Sequence, residues 1–242
     1  MSGALGRKAV KVGFFDSGIG GRCILDAFRR LCPTVETEYL ADSAHCPYGN
    51  RAPEDIVRLS VANTDELLRR GCGVVVVACN TATAAAIDQL RARYPAIPFV
   101  GVEPALKPAA LKSKTGVVGV LATAGTFNGR LYNETKAKFA KNVTVIAAVA
   151  DEFVLEVERL KGTRVETLTG PRRARLERIV RTKIDPLVAA GADHIVLGCT
   201  HFPHLKPLIE AVAGPGVTVV DPSPAVALQA RRVLADRGLL AP

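Results

Sequence analysis

The sequence predicts an α/β fold: two pseudo-symmetric, doubly wound parallel-sheet domains facing each other across a central cleft. Short apolar runs alternate with helix-compatible stretches, the alternation restarts near Gly116, and each half contains one apolar run that ends in a cysteine. Those runs are Val74-Val75-Val76-Val77-Ala78 before Cys79 and Ile195-Val196-Leu197-Gly198 before Cys199. Both thiols are thereby placed where a strand becomes a helix, at the carboxyl edge of a parallel sheet, where open α/β folds bind their ligands.

In the first half, Val10 to Phe15 reads as a buried strand, 18–21 as a turn and Ile24 to Leu31 as a helix. A short strand at 38–41 ends in Asp42-Ser43, and a helix from Pro53 to Arg70 has proline at its start and Gly71 at its end. Strand 74–78, helix 81–93 and strand 98–102 complete this half. The second half repeats the order with strand 116–121, a helix over 126–139, strand 143–149, helix 152–160, helix 172–190 kinked or broken by Pro186, and strand 195–198. It is the longer half, and its extra residues are expected around Glu152 to Gly170. A helix over 204–212, strand 217–220 and helix 225–237 close the chain, the last helix packing back on the first half. The expected domains are 1–100 with 222–242, carrying Cys79, and 101–221, carrying Cys199. Facing carboxyl edges would put the two thiols on opposite walls of one cleft.

Composition excludes little beyond disorder: 48% hydrophobic with 23% charged residues is an ordinary globular balance. After Arg7, Lys8 and Lys11 the apolar stretch is only Val12 to Phe15, too short for a signal peptide, and no run approaches a membrane span, so a cytoplasmic location is expected. Six cysteines without dense spacing then read as reduced thiols, with Cys23, Cys32 and Cys72 inert. The formal charge of +9 includes Arg172, Arg175, Arg178 and Arg181 at every third position, a ridge read as a solvated face or subunit contact. No aromatic residues interleave with it, so neither nucleic acid nor membrane is an expected partner, and a homodimer stays open.

A buried free cysteine is more often a small hydrophobe than a reactive group. Here each thiol is followed at once by polar groups: Asn80, Thr81 and Thr83 in one half, Thr200 and His201 in the other. Amides at a helix N-terminus lower a thiol pKa, so two matched thiols suggest two matched bases. Asp16-Ser17-Gly18-Ile19-Gly20-Gly21 invites a dinucleotide reading, but Cys23 occupies the third glycine position of that fingerprint. It reads either as a plain turn or as a loop projecting Asp16 and Ser17 into the cleft. Cys199 with His201 and His45 with Cys46 offer ligand types for zinc, yet there is no C-x-x-C pair, and no metal is expected.

Four stretches in this order, FDSGIGG at 15–21, PYG at 47–49, ACNTAT at 78–83 and GCTHFP at 198–203, resemble the glutamate racemase family of the aspartate/glutamate racemase superfamily. The resemblance spans nearly the whole chain. It implies cofactor-independent interconversion of L- and D-glutamate, the D form supplying peptidoglycan synthesis and so cell-wall biogenesis and cell shape, with glutamate as the small-molecule partner. It implies Cys79 and Cys199 as catalytic acid/bases assisted by Asp16, His201 and Glu158. Substrate would be held by Asp16, Ser17, Pro47, Tyr48, Gly49, Asn80, Thr81, Thr123, Thr200 and His201. Two departures from the family pattern stand out: Val120 where a threonine is common, and Ala150-Asp151 in place of Cys-Pro. If Val120 faced substrate, Val120→Thr would lower the Michaelis constant. Racemisation of another amino acid such as aspartate is the alternative, as is a non-catalytic ligand-binding regulator on the same scaffold.

The chemistry fits two thiols. Racemisation removes the α-hydrogen from one face of the carbon and returns a proton to the other, which one side chain cannot easily do. A thiolate and a thiol on opposite walls can, exchanging roles with direction.

Overall fold

The computed structural model describes residues 10–240. The amino-terminal Arg7 and Lys8, and the extremities of the first expected domain, lie outside the described residues. The first half runs β1 (Lys11–Asp16), α1 (Arg22–Leu31), β2 (Glu36–Ala41), α2 (Pro53–Arg69), β3 (Cys72–Val77), α3 (Asn80–Arg93) and β4 (Phe99–Gly101). A short helix, α4 (Leu106–Lys112), leads to β5 (Val117–Ala122), α5 (Ala124–Phe127), α6 (Arg130–Phe139) and β6 (Thr144–Val149). Then follow α7 (Asp151–Leu160), a 3-10 turn (Val165–Thr167), α8 (Gly170–Ala189), β7 (His194–Gly198), a second 3-10 turn (Phe202–Leu205), α9 (Lys206–Ala213), β8 (Thr218–Val220) and α10 (Ser223–Asp236).

The strands form two four-stranded parallel sheets in the orders β2-β1-β3-β4 and β6-β5-β7-β8. The two topologies are the same, so β3 and β7, which lead into the two cysteines, hold equivalent places. In each sheet the first two central strands, β1 and β3 or β5 and β7, flank the point where the chain turns outward in opposite directions. A ligand crevice forms at such a switch point. The central strands read as unbroken apolar runs because helices cover both of their faces. The outer strands β2 and β6 carry exposed positions instead.

Helix α10 returns to the first sheet, where Val226, Ala227, Ala230 and Leu234 join Ile24, Leu25 and Phe28 of α1 in one core. The extra length of the second half is α7 with its following 3-10 turn, between β6 and α8. That insertion is anchored by Glu156, buried on α7, which accepts from Arg175 Nη1 and Nη2 at 2.6 and 2.8 Å and so stays well ionised. Arg181 pairs with Glu177 and Asp185, so the basic ridge on α8 is neutralised at two of its four positions. No described helix is long and apolar enough to cross a membrane.

Three local expectations change. The helix expected over 126–139 is two helices, broken where the extended backbone of Gly129 starts α6, which lets the short α5 set Thr123 beside Thr81 of α3. Pro186 neither breaks nor ends α8. The carbonyl its ring leaves without a helical donor is that of Thr182, on the exposed side of the helix. The chain also forms α4, whose Leu106 and Ala109 cover Val118 and Val120 of β5.

Candidate active site

Each sheet sends two loops to the cleft. From the first, β1 ends in Asp16-Ser17 and β3 in Cys79-Asn80; from the second, β5 leads to Thr123 and β7 to Cys199-Thr200-His201. Ser17, Pro47, Tyr48, Gly49, Cys79, Asn80, Thr81, Thr123, Val154, Cys199, Thr200 and His201 line a single cavity with room for about 10 Å3, one water's worth. Every substrate-binding residue expected from the sequence is in that lining except Asp16, which sits fully buried just behind it. Val154 was not expected there; as an apolar residue on the inserted helix it carries no sequence signal for a ligand wall.

Cys79 is the N-cap of α3, and its Sγ accepts from the Ala82 amide at 3.4 Å and lies 3.8 Å from Ser17 Oγ. Cys199 Sγ lies 3.8 Å from His201 Nδ1. Amide donors at each helix start favour the thiolates, as the sequence predicts, but the outcome is reversed. Burial pushes both thiols above their ordinary range, and the Asp16 carboxylate adds to the rise at each. In the closed cleft neither cysteine is a ready thiolate.

Asp16 is locked in place by the Gly21 amide, which donates to Oδ2 at 2.8 Å, and by Thr200 Oγ1, which donates to Oδ1 at 3.3 Å. Burial raises its pKa, opposed by His201 and the Gly21 amide. Glu158 reaches across from the inserted helix: its Oε1 is 2.7 Å from His201 Nε2 and accepts from the Ile19 amide at 2.9 Å. These contacts outweigh burial and hold the Glu158 carboxyl below its usual range. A carboxylate accepting at Nε2 places the ring proton there, which leaves the Nδ1 lone pair facing the Cys199 thiol.

The glycines of the first loop are explained by this packing. A Cβ on Gly18 would run into Glu158 Oε1, and one on Gly20 would lie 2.5 Å from His201 Nδ1 and 2.7 Å from the His201 amide nitrogen. The loop that resembled a nucleotide fingerprint is flat because the Glu158–His201 pair lies directly on it.

The remaining lining groups are ordered by one another. Thr81, Thr123 and Thr126 share a chain of hydroxyls at 3.0 Å spacing that joins the two halves. Tyr48 donates to Asp42 at 2.6 Å and accepts from Asn63 at 3.1 Å, which fixes the PYG loop. Asn80 donates weakly to the Val102 carbonyl, and its buried Oδ1 has no partner. An orphaned acceptor on a cavity wall is a place for a donor on a ligand.

Neither departure lines the cavity, although Asp151 lies against its Gly49 wall, with Oδ1 3.1 Å from where a Cβ on Gly49 would be. Val120 is fully buried between α4 and α6 with Leu106, Ala109, Val118, Tyr132 and Val196, so it does not face substrate. Ala150 fills the core of the second half, while Asp151 accepts from the Ala124 amide at 3.3 Å at the start of α5.

A family model for Asp/Glu/hydantoin racemases matches residues 22–230. The chain belongs to that family. Among curated relatives, the glutamate racemase of Roseiflexus sp. (strain RS-1) is 44% identical over 97% of this chain and 83% of its own length. Among solved structures, Escherichia coli glutamate racemase in complex with L-glutamate and the activator UDP-MurNAc-Ala superposes with a TM-score of 0.82, at 33% identity, over 97% of this chain and 85% of that one. The Francisella tularensis glutamate racemase in complex with D-glutamate gives a TM-score of 0.79 at 27% identity, over 96% and 83% of the two chains. The two-sheet α/β architecture is thus that of these racemases.

Proposed function

We propose that this cleft interconverts L- and D-glutamate without a cofactor, with Cys79 and Cys199 as the two acid/bases. The observation that carries the reading is that one cavity is lined by a thiol from each half, each at the carboxyl end of the equivalent strand. Curated relatives at this level of identity are glutamate racemases, and of two solved glutamate racemases of the same fold one holds L-glutamate and the other D-glutamate. In this reading the halves are two domains, 1–100 with 222–242 and 101–221, whose separation admits substrate.

The α-ammonium group of an entering amino acid brings a cation to a site where burial disfavours thiolates, and a nearby cation favours them. Asn80 Oδ1 is an acceptor ready for that ammonium. One thiolate then takes the α-hydrogen as the opposite thiol delivers its own proton to the other face. Hydroxyls and amides of Ser17, Thr81 and Thr200 stabilise the charge that develops on the α-carboxylate, in a cavity too small to keep bulk water. On the Cys199 side, His201 accepts or returns the thiol proton at Nδ1 while Glu158 holds its tautomer. On the Cys79 side, Asp16 and Ser17 occupy the corresponding place.

D-Glutamate made this way would supply peptidoglycan synthesis in the cytoplasm. The six cysteines are all free, as a reducing compartment requires. The test is circular dichroism of the purified protein with either glutamate enantiomer and no added cofactor. Ellipticity should decay to zero from both sides, and activity on aspartate alone would overturn the substrate assignment.

A further inference from the structure

Cys46 is a third thiol close to the cleft that the racemisation chemistry does not use. It precedes the PYG loop, is half-buried, and does not line the cavity. Its Sγ donates to Glu158 Oε1 at 3.8 Å, on the oxygen that also meets His201 Nε2. Sγ, a Glu158 carboxylate oxygen and a His201 ring nitrogen all lie within 4.8 Å of one another.

We infer that Cys46, Glu158 and His201 form a site for a thiophilic divalent cation of the zinc type, and that its occupancy shuts down the cleft. A tetrahedral ion with bonds of about 2.0–2.3 Å needs its ligand atoms about 3.3–3.8 Å apart. Two of the present separations, 2.7 and 3.8 Å, bracket that range and all three lie within 4.8 Å, so side-chain rotations bring the set to it. Thiolate with imidazole and carboxylate selects zinc or cobalt over magnesium or calcium, and three protein ligands leave the fourth position to water. The carboxylate side chain is 24% exposed while His201 is 1% exposed, so an ion enters from the Cys46 and Glu158 side. The ligands are scattered over positions 46, 158 and 201, which is why the absence of a C-x-x-C pair says nothing about them.

Binding is balanced by protons alone. The Cys46 thiol releases one proton to solvent. The imidazole moves its proton from Nε2, now on the metal, to Nδ1, where it points at Cys199 Sγ. That inverts the tautomer that leaves Nδ1 free to take the thiol proton, so the same ion that binds also stops Cys199 chemistry. The inhibitory half of this inference rests on the racemase reading, while the binding half does not.

The test is a cobalt(II) titration of the purified full-length chain, with racemisation measured in parallel under zinc. One equivalent of cobalt should give thiolate-to-metal charge transfer and intense visible bands of a tetrahedral ion. Both should persist in Cys79→Ala and Cys199→Ala and vanish in Cys46→Ser. Cys46→Ser, tested in chelator, should racemise like the wild type, which certifies its fold, and should need at least ten times more zinc for half inhibition. Bands that survive in Cys46→Ser or disappear in Cys199→Ala would place the ion on other thiols and overturn the site. Absence of charge transfer at one equivalent would overturn it too. A protein that shows the bands but never racemises glutamate would retain the site and sink only the functional reading.

Discussion

Glu158 Oε1 lies 2.7 Å from His201 Nε2, and this contact joins the inserted helix of the second half to the thiol that follows β7. A positioned acid–base group contributes about 10²–10⁴-fold. Glu158→Gln keeps the size of the side chain but can donate to Nε2 and favour the wrong tautomer, so it should cost on the order of 10-fold of that contribution. The family resemblance assigns abstraction from L-glutamate to Cys199. Elimination from an L-configured analogue with a β-leaving group should therefore slow, while elimination from its D counterpart should not. Equal loss with both analogues would mean that Glu158 acts on the fold and not on Cys199.

The two-thiol assignment predicts that Cys79→Ser and Cys199→Ser each abolish racemisation in both directions. In deuterated water the wild-type product should carry α-deuterium from the first turnovers while unreacted substrate stays protonated. Label returning to substrate at the same rate would indicate one base serving both faces.

Gly18 and Gly20 predict different failures. An alanine methyl at 18 meets the end of the Glu158 side chain, which can swing aside, so Gly18→Ala should fold normally and lose activity. At 20 it meets the His201 amide nitrogen at 2.7 Å and the Thr200 carbonyl carbon at 2.8 Å, atoms that cannot yield cheaply, so Gly20→Ala should lower the denaturation midpoint as well. Thermal melts beside activity assays separate the two, and a Gly20→Ala protein with wild-type stability would contradict the packing.

Val120→Thr, attractive from the sequence as a restored substrate contact, should instead place a hydroxyl in a dry core at a cost of about 1–3 kcal/mol. Denaturant unfolding should show that loss with no decrease in the Michaelis constant. A lower Michaelis constant would mean that the side chain reaches the cleft after all.

Because burial raises the pKa of both cleft thiols, the free protein holds them protonated at neutral pH. The value of kcat/KM should then climb with pH through neutrality and beyond the ordinary thiol value of about 8.5. The same shift acts on folding. A thiol whose folded pKa exceeds the unfolded one stabilises the protein fully below about pH 8.5, and that contribution falls away as pH rises toward the folded value. The half-buried Cys23 and Cys46, each pushed up to about 12, belong to the same window. A kcat/KM plateau already reached below about pH 8 would contradict the raised thiols.

The central strands and both thiols were legible because a strand covered on two faces is written as an uninterrupted apolar run, and such runs here end in Cys79 and Cys199. That same property hid the direction of Val120: with both neighbouring layers apolar, alternation carries no information about which face meets a ligand. Asp16, Ser17 and His201 could be placed from motifs because they adjoin strand ends. Cys46 could not be joined to Glu158, because 112 residues separate them and only the fold brings them together. The thiol pKa values were misjudged for a related reason: helix amides are local and visible in sequence, whereas burial is a sum over the whole closed cleft.

The cavity between the thiols has room for about 10 Å3, so on the racemase reading an amino acid enters only when the two halves part. Parting the halves breaks Ile19–Glu158, Thr81–Thr123 and Thr200–Asp16, which at about 0.5–1.5 kcal/mol each totals roughly 1.5–4.5 kcal/mol. Receptive molecules would then be on the order of one in 10 to one in 2,000, and measured affinity is weaker than intrinsic affinity by that fraction. Loosening an exposed contact between the halves outside the cavity, such as Asp88–Arg130, therefore acts as a gain-of-affinity change: substrate capture quickens while the barrier to proton transfer stays where it was.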